Sequence, residues 1–370
     1  MKIEAVELRC IRIPLVAPFR TSFGTEHHRD VLLLHVVGSD SEGWGECVAL
    51  SEPLYSAEYV AGAKNLIRDH LLPRLFARGH VSASEVASIL RPVRGHPMAK
   101  AAVEMAILDA ELRSTDTSLG AFLGAVRAEV DCGVSVGIHE KISDLLHTVE
   151  RHLDEGYRRI KLKIEPGYDV EPVRAVRKHF GDILLQVDAN AAYSIGDACH
   201  LAALDAFDLL MIEQPLPEEE IRGHAELSKI VRTPICLDES ITSSRAATDA
   251  IALGACSIVN IKAGRVGGYL EARRVHDVCA ANGIPVWCGG MLETGLGRAA
   301  NVALAALPNF TLPGDTSASG RYYKQDITEP FVLSNGRLSV PKGPGLGVSP
   351  ILDQLDQVTT EVETYRPSAD

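Results

Sequence analysis

Five short apolar runs end in side chains that can do chemistry: Lys161-Leu162-Lys163, Asp188-Ala189-Asn190, Glu213-Gln214-Pro215, Asp238-Glu239-Ser240 and Asn260-Ile261-Lys262. Side chains alternate along a strand, so Lys161 and Lys163 share one side and Leu162 takes the other. Ammonium groups directed into a protein interior are costly unless an anion answers them. Taken singly, each residue has an ordinary explanation, since a terminal Asp often caps a helix and a terminal Lys is usually solvated. The order Lys, Asp, Glu, Asp, Lys argues for more. Three carboxylates on successive strands make an oxygen donor set for one hard divalent cation such as Mg²⁺ or Mn²⁺. Lys163 and Lys262 would then face each other across it. A carboxylate substrate beside that cation can lose its α-proton, because the cation stabilises the second negative charge of the enediolate. One lysine would remove the proton. The other could return one to the opposite face, which is racemisation, or a β-hydroxyl could leave to give an alkene. A lysine base must be neutral, so its pKa must fall from ~10.4, and the metal, Lys161 and Arg265 are the cations expected to lower it.

These residues need a frame that brings strand ends together. From Cys132 onward, eight β-type runs recur: Cys132–Ile138, Arg159–Ile164, Ile183–Ala189, Leu209–Pro215, Pro234–Ser240, Ser257–Ala263, Pro285–Gly290 and Phe310–Asp315. Helical segments lie between them at Ile142–Glu155, Val170–Phe180, Glu218–Val231, Ser243–Leu253 and Gly268–Asn282. Strands alternating with helices imply a parallel sheet, and this count favours a closed α/β barrel over an open doubly wound sheet. Barrel active sites sit at the C-terminal strand ends, where the charged residues fall. The first third reads as α+β. Lys2–Leu15 alternates as a strand, Asp30–Val37 and Gly43–Leu50 flank a turn, and Tyr59–Leu75 and Met98–Leu112 have helical spacing. The Met98–Leu112 helix is expected to bury one face. Asn335-Gly336 marks a hairpin within Phe331–Val340, expected to return to the first domain.

The chain has 370 residues, 46% hydrophobic and 23% charged, with 37 Lys+Arg against 49 Asp+Glu. A net charge of −12 without a basic run argues against a nucleic-acid partner. No apolar stretch reaches the ~18 residues of a membrane span, and Met1–Leu15 is too charged for a signal peptide, so the protein is expected in the cytoplasm. Eight scattered cysteines with no C-x-x-C pair read as mostly buried thiols rather than a disulfide framework or zinc site. His147 and His152 lie on a charged helical stretch and are expected to be solvated. No dinucleotide fingerprint or G-x-S-x-G hydrolase elbow is present.

The chain resembles the enolase superfamily in its muconate-lactonizing-enzyme-like subgroup, on the Lys-x-Lys of strand 2, the Asp, Glu and Asp of strands 3 to 5 and the lysine of strand 6. Within it, the segments Arg159–Gly167, Asp238–Ser240 and Gly264–Gly268 are similar to the o-succinylbenzoate synthase / N-acylamino acid racemase family. The likeness extends to Pro18–Gly24 and Gly289–Gly295. It implies a modified (β/α)8 TIM-type barrel of (β/α)7β form over residues 126–325. An α+β capping domain would span 1–125, with 326–370 returning to it. It implies Asp188, Glu213 and Asp238 as ligands of Mg²⁺ (or Mn²⁺ or Co²⁺), with Lys163 and Lys262 as catalytic bases or acids. Lys161, Ser135, Phe23, Tyr55, Arg20, Gly290 and Met291 would contact substrate. Asn190 and Glu239, with Arg265, would orient the ligands and Lys262.

Departures narrow the substrate. Strand 7 ends Trp287-Cys288-Gly289-Gly290 without the histidine of mandelate-racemase-like and sugar-acid dehydratase groups. Strand 8 ends Pro313-Gly314-Asp315, lacking the Asp-x-Asp pair of a dipeptide epimerase, so Asp315 is expected to cap a turn. The expected function is dehydration to o-succinylbenzoate in menaquinone synthesis, racemisation of N-acyl (N-succinyl) amino acids, or both. Muconate-type cycloisomerisation and dipeptide epimerisation are the alternatives within the enzyme class, and a non-catalytic binding protein on an inherited barrel lies outside it. A small-molecule carboxylate is the expected ligand, and a homo-oligomer the expected assembly.

Overall fold

The computed structural model describes residues 1–21 and 24–367; Phe23 lies outside the described residues. An antiparallel sheet opens the chain: β1 (Ile3–Thr21), β2 (Gly24–Gly38) and β3 (Glu42–Cys47). The chain's last strand joins it at the other edge, giving the order β13-β1-β2-β3, with β13 at Thr359–Tyr365. β1 and β2 are longer than the sequence alternation predicts and pair out to Thr21↔Gly24, so residues 19–21 and 24–26 lie on paired strands rather than in a free loop. Small residues let the sheet meet the helix Pro97–Ser114 closely. A Cβ on Gly45 would lie 2.1 Å from Ala102 O, and one on Gly43 2.3 Å from Ala106 O. This helix does not bury one face, as its spacing predicts; Ala101–Ala110 is buried throughout. It is enclosed between the sheet and the segments that follow strand 6 of the barrel, where Glu104 accepts a hydrogen bond from Leu270 N at 3.0 Å.

The second part is a curled parallel sheet in sequential order: β5 (Gly133–Val136), β6 (Arg159–Lys163), β7 (Leu184–Asp188), β8 (Ile212–Glu213), β9 (Ile235–Leu237), β10 (Ile258–Ile261) and β11 (Val286–Cys288). The expected eighth strand, Phe310–Asp315, is an irregular segment that bridges both open edges, by Val286↔Phe310 and Cys132↔Gly314. Gly314 permits this closure, since a Cβ there would meet Cys288 O at 2.8 Å. The hairpin at Asn335-Gly336 does form, but its strand β12 (Arg337–Ser339) pairs with β4 (Glu129–Asp131), just before β5, and not with the first sheet. It is β13 that returns to β1.

All eight cysteines are free thiols, and only Cys199 is exposed and Cys10 half-buried. His147 is exposed, but His152 is buried, not solvated. Its Nδ1 lies 2.8 Å from Glu155 Oε2, and burial with nearby Arg321 pushes its pKa down to about 4. No helix among the described residues is long and apolar enough to cross a membrane.

Candidate active site

The parallel register converts sequence spacing into a row of functional groups. β6, β7 and β8 end on Lys163, Asp188 and Glu213, and these three are Cα partners across adjacent strands. Asp238 and Lys262 directly follow β9 and β10. Backbone strain gathers at the same end of the barrel: Asn190, Ala191, Gln214 and Leu292 all have positive φ, a region that non-glycine residues enter only when their surroundings impose it.

The lysines are each held by carboxylates. Lys163 Nζ donates to Asp188 Oδ2 and Asn190 Oδ1, both at 2.6 Å. Lys262 Nζ donates to Asp238 Oδ2 at 2.8 Å and to Tyr55 OH at 2.9 Å. Arg265 donates to Asp238 Oδ1 and, at 2.6 Å, to Tyr55 OH. Lys161 Nζ lies 2.7 Å from Asp315 Oδ2, 3.1 Å from Glu213 Oε2 and 3.2 Å from Asp188 Oδ2. Asn260 Nδ2 donates to Glu213 Oε1 at 2.8 Å. The strands bearing Lys163 and Lys262 stand four apart in a ring of seven strands and one closing segment. Both amines line one cavity of about 60 Å³, with Tyr55, Ser135, Lys161, Asn190, Gly290 and Met291.

Burial pushes the Asp188 carboxyl up, but Lys163 and Lys161 more than offset this and hold it below its usual range. Arg265 and Lys262 do the same for Asp238 against its burial. Glu213 goes the other way, to about 8, through burial and then repulsion by Asp188. Burial and Asp238 push Glu239 to about 7. The expected lowering of the base lysine is not what surrounds Lys262. Burial, the largest influence, presses its ammonium down, but Asp238, Tyr55 and Glu239 together outweigh burial and Arg265, and the net shift is upward.

Glu213 marks a place where carboxylates crowd one desolvated volume. Asn260 Oδ1 beside it and Glu239 Oε2, which follows Asp238, are buried oxygens without hydrogen-bond partners. All-oxygen donors at adjacent strand ends fit a hard divalent cation. Among the described residues no three acidic, histidine or cysteine side chains are gathered as a formed cation site; the carboxylates turn to Lys161, Lys163, Lys262 and Arg265 instead.

Four sequence expectations change in detail. Asn190 and Glu239 do form a chain, with Asn190 Nδ2 donating to Glu239 Oε1 at 2.9 Å, but Asn190 accepts from Lys163, not Lys262. Arg20 is exposed on the hairpin arm and is not part of the cavity wall. Gly289 makes room for protein rather than ligand, since a Cβ there would fall 2.4 Å from Asn260 Oδ1 and 2.7 Å from Lys262 Cε. Asp315 is no turn cap; its carboxylate receives Lys161, Arg159 and Ser135 Oγ. Gln214 has a role that its sequence context does not announce. Its Oε1 accepts from Asp238 N at 2.9 Å and Ser240 N at 3.2 Å, which fixes the strand end carrying Asp238. Its position beside Glu213 was the one available signal.

Residues 3–124 match the family model described as the mandelate racemase / muconate lactonizing enzyme N-terminal domain, and residues 144–354 match the enolase C-terminal domain-like model. The chain is 67% identical over 361 residues to an N-succinylamino acid racemase of an Amycolatopsis species, covering 97% of this chain and 98% of that one. It is 46% identical to an o-succinylbenzoate synthase of Geobacillus kaustophilus, covering 100% and 99%. A solved enolase superfamily member from Listeria innocua superposes with a TM-score of 0.95 at 40% identity, over 100% of both chains. Matched along both its parts and over the strand ends that carry the lysines and carboxylates, the chain belongs to the enolase superfamily, in its mandelate racemase / muconate lactonizing enzyme branch.

Proposed function

We propose that the protein removes the α-proton of a small carboxylate substrate, acting as an N-succinylamino acid (N-acylamino acid) racemase, an o-succinylbenzoate synthase, or both. One observation carries this reading. Two amines, Lys163 and Lys262, line a single cavity from strands four apart, and each is anchored by a different carboxylate. The names of the two relatives supply the two candidate reactions.

Asp188, Glu213 and Asp238 would hold a divalent cation, Mg²⁺ or alternatively Mn²⁺ or Co²⁺. When bound, it supplies positive charge beside the substrate carboxylate, against which a second negative charge can develop. Lys161 adds a fixed ammonium for the same carboxylate. Lys163 Nζ takes the α-proton on one face. In racemisation, Lys262 Nζ delivers a proton to the opposite face, so the configuration inverts and no atom is gained or lost. In dehydration, Lys262 remains an ammonium that stabilises the developing charge. Lys163 then returns its proton to the departing β-hydroxyl, which leaves as water. Tyr55, Gly290, Met291 and Ser135 would shape the remainder of the pocket. The cavity is far below the ~300 Å³ of ordinary ligand sites; Phe19 and Glu26 stand in its wall, and a shift of these two side chains would make room for substrate. Arg20 and Phe23 would contact the incoming substrate. The reading also takes the protein as a cytoplasmic homo-oligomer.

The test is incubation with Mg²⁺ and N-succinyl or N-acetyl amino acids in D₂O, following α-deuterium by NMR. In parallel, o-succinylbenzoate formation is followed from 2-succinyl-6-hydroxy-2,4-cyclohexadiene-1-carboxylate. Exchange or dehydration is expected; neither occurring would refute the reading. The relative rates identify the better of the two reactions.

A further inference from the structure

Beneath the row of site residues lies a second buried layer. Asp315, on the segment that closes the barrel, accepts from Lys161 Nζ at 2.7 Å, Arg159 Nη1 at 2.8 Å and Ser135 Oγ at 3.3 Å. Arg159 sits on the same strand and side as Lys161, one alternation deeper, and is fully buried. Its Nη2 donates to Pro313 O at 2.8 Å. Its guanidinium lies 5.0 Å from the centre of the buried Trp287 ring, and Lys161 Nζ lies 4.8 Å from the same ring. Gly133 opens the space, since a Cβ there would come within 2.4 Å of Arg159 Cζ. Two cations therefore lie against one aromatic ring and share one carboxylate that is distinct from Asp188, Glu213 and Asp238.

The distances around Lys161 give this arrangement a purpose. Its ammonium is shared: the shortest contact is to Asp315 at 2.7 Å, but it also donates to Glu213 Oε2 at 3.1 Å and lies 3.2 Å from Asp188 Oδ2. An ammonium that closed on those two oxygens would compete directly with any cation they hold. Arg159 keeps the Asp315 charge compensated in a region where an unpaired ion is costly, and the ring face adds attraction on the same side.

We propose that Asp315, backed by Arg159 and Trp287, is a positioning residue for Lys161: it gives the ammonium an anion to keep when Asp188 and Glu213 take a divalent cation, so that Lys161 can release their oxygens and still line the cavity. The inference rests on the cation-binding role proposed above for Asp188 and Glu213. With the Asp315 charge removed, Asp188 and Glu213 become the only anions in reach of Lys161, and the ammonium stays bound to them in competition with the cation.

The test is Mn²⁺ binding, read by calorimetry and by the electron paramagnetic resonance of free Mn²⁺, on the full-length protein without substrate. Asp315→Asn is expected to weaken Mn²⁺ binding about tenfold or more, the usual size for a group that orients a site from behind its ligands. In the Lys161→Gln background the same change should alter binding by no more than about twofold, as for uncoupled positions. A purely structural Asp315 would not show this dependence on Lys161. Should Asp315→Asn fail to fold because Arg159 is left unpaired, Arg159→Met with Asp315→Asn removes the buried pair together, and the same dependence on Lys161 is expected. Unchanged Mn²⁺ affinity in the Asp315 variant, or an equal loss with and without Lys161, would overturn the inference and leave the proposed function standing. Wild-type protein that binds no Mn²⁺ would overturn both.

Discussion

Glu46 and Thr294, 248 residues apart in the chain, are joined by a 2.6 Å hydrogen bond from Thr294 Oγ1 to Glu46 Oε2. Glu46 stands on β3 of the first sheet, and Thr294 caps the barrel helix Gly295–Ala305. The same carboxylate also accepts from Thr294 N at 3.0 Å and Gly297 N at 2.9 Å. A side chain from one part thus satisfies orphan amides at a helix start in the other. The loop immediately before that start, Gly290–Met291, lines the cavity.

This contact sets a pH dependence. Burial, with Glu293 nearby, raises the Glu46 pKa from 4.5 to about 7. The folded state therefore keeps a proton that the unfolded chain releases near 4.5, and the stabilisation it confers is full below that value. It is lost as pH rises from 4.5 through 7. Glu46→Gln, which cannot titrate, is expected to be less stable than wild type at pH 5, with the gap shrinking by about 3 kcal/mol by pH 8. Urea unfolding at the two pH values measures it; a constant gap would contradict the assignment.

His224 should act with the opposite sign. It is buried, its Nε2 accepts from Leu216 N at 3.2 Å, and burial pushes its pKa down to about 4. The unfolded chain gains a proton near 6.5 that the folded state refuses, so this stabilisation is present above 6.5 and is lost as pH falls toward 4. The advantage of wild type over His224→Gln should narrow by about 3 kcal/mol between pH 7 and pH 4. Denaturant midpoints of the pair across that range decide it.

Lys163→Ala and Lys262→Ala should each abolish racemisation, with losses on the order of 10³-fold or more for the missing proton transfer. Because the amines serve opposite faces, each variant should still exchange the α-proton of one enantiomer, and the two variants should differ in which one. Deuterium uptake from each pure enantiomer distinguishes this from a collapsed site, in which neither would exchange.

Gly289→Ala tests the placing of Lys262. The added methyl would fall 2.7 Å from Lys262 Cε, and a displacement approaching 1 Å commonly costs about 100-fold in rate. Exchange at the face served by Lys262 should drop by that order, while the face served by Lys163 changes far less. Equal losses at both faces would indicate general damage to the barrel.

Much of the site was legible in the sequence for a local reason. Alternation within a strand fixes which side Lys161 and Lys163 share, and a parallel register turns matched strand ends into a row, so Lys163, Asp188 and Glu213 could be aligned without coordinates. The helix and strand periods of the barrel are equally local. What the tertiary structure alone decided depends on partners remote in the chain. Asp315 looks like a turn residue until closure of the barrel brings Lys161 and Arg159 to it, 154 and 156 residues back. Met98–Leu112 shows a single apolar stripe, yet it is enclosed because sheet and barrel grip it from two sides. His152 lies in a charged stretch and is buried all the same. The upward shift at Lys262 has the same origin. Sequence names the charges, but their distances and the water removed around them set which one wins, and those exist only once the chain has closed on itself.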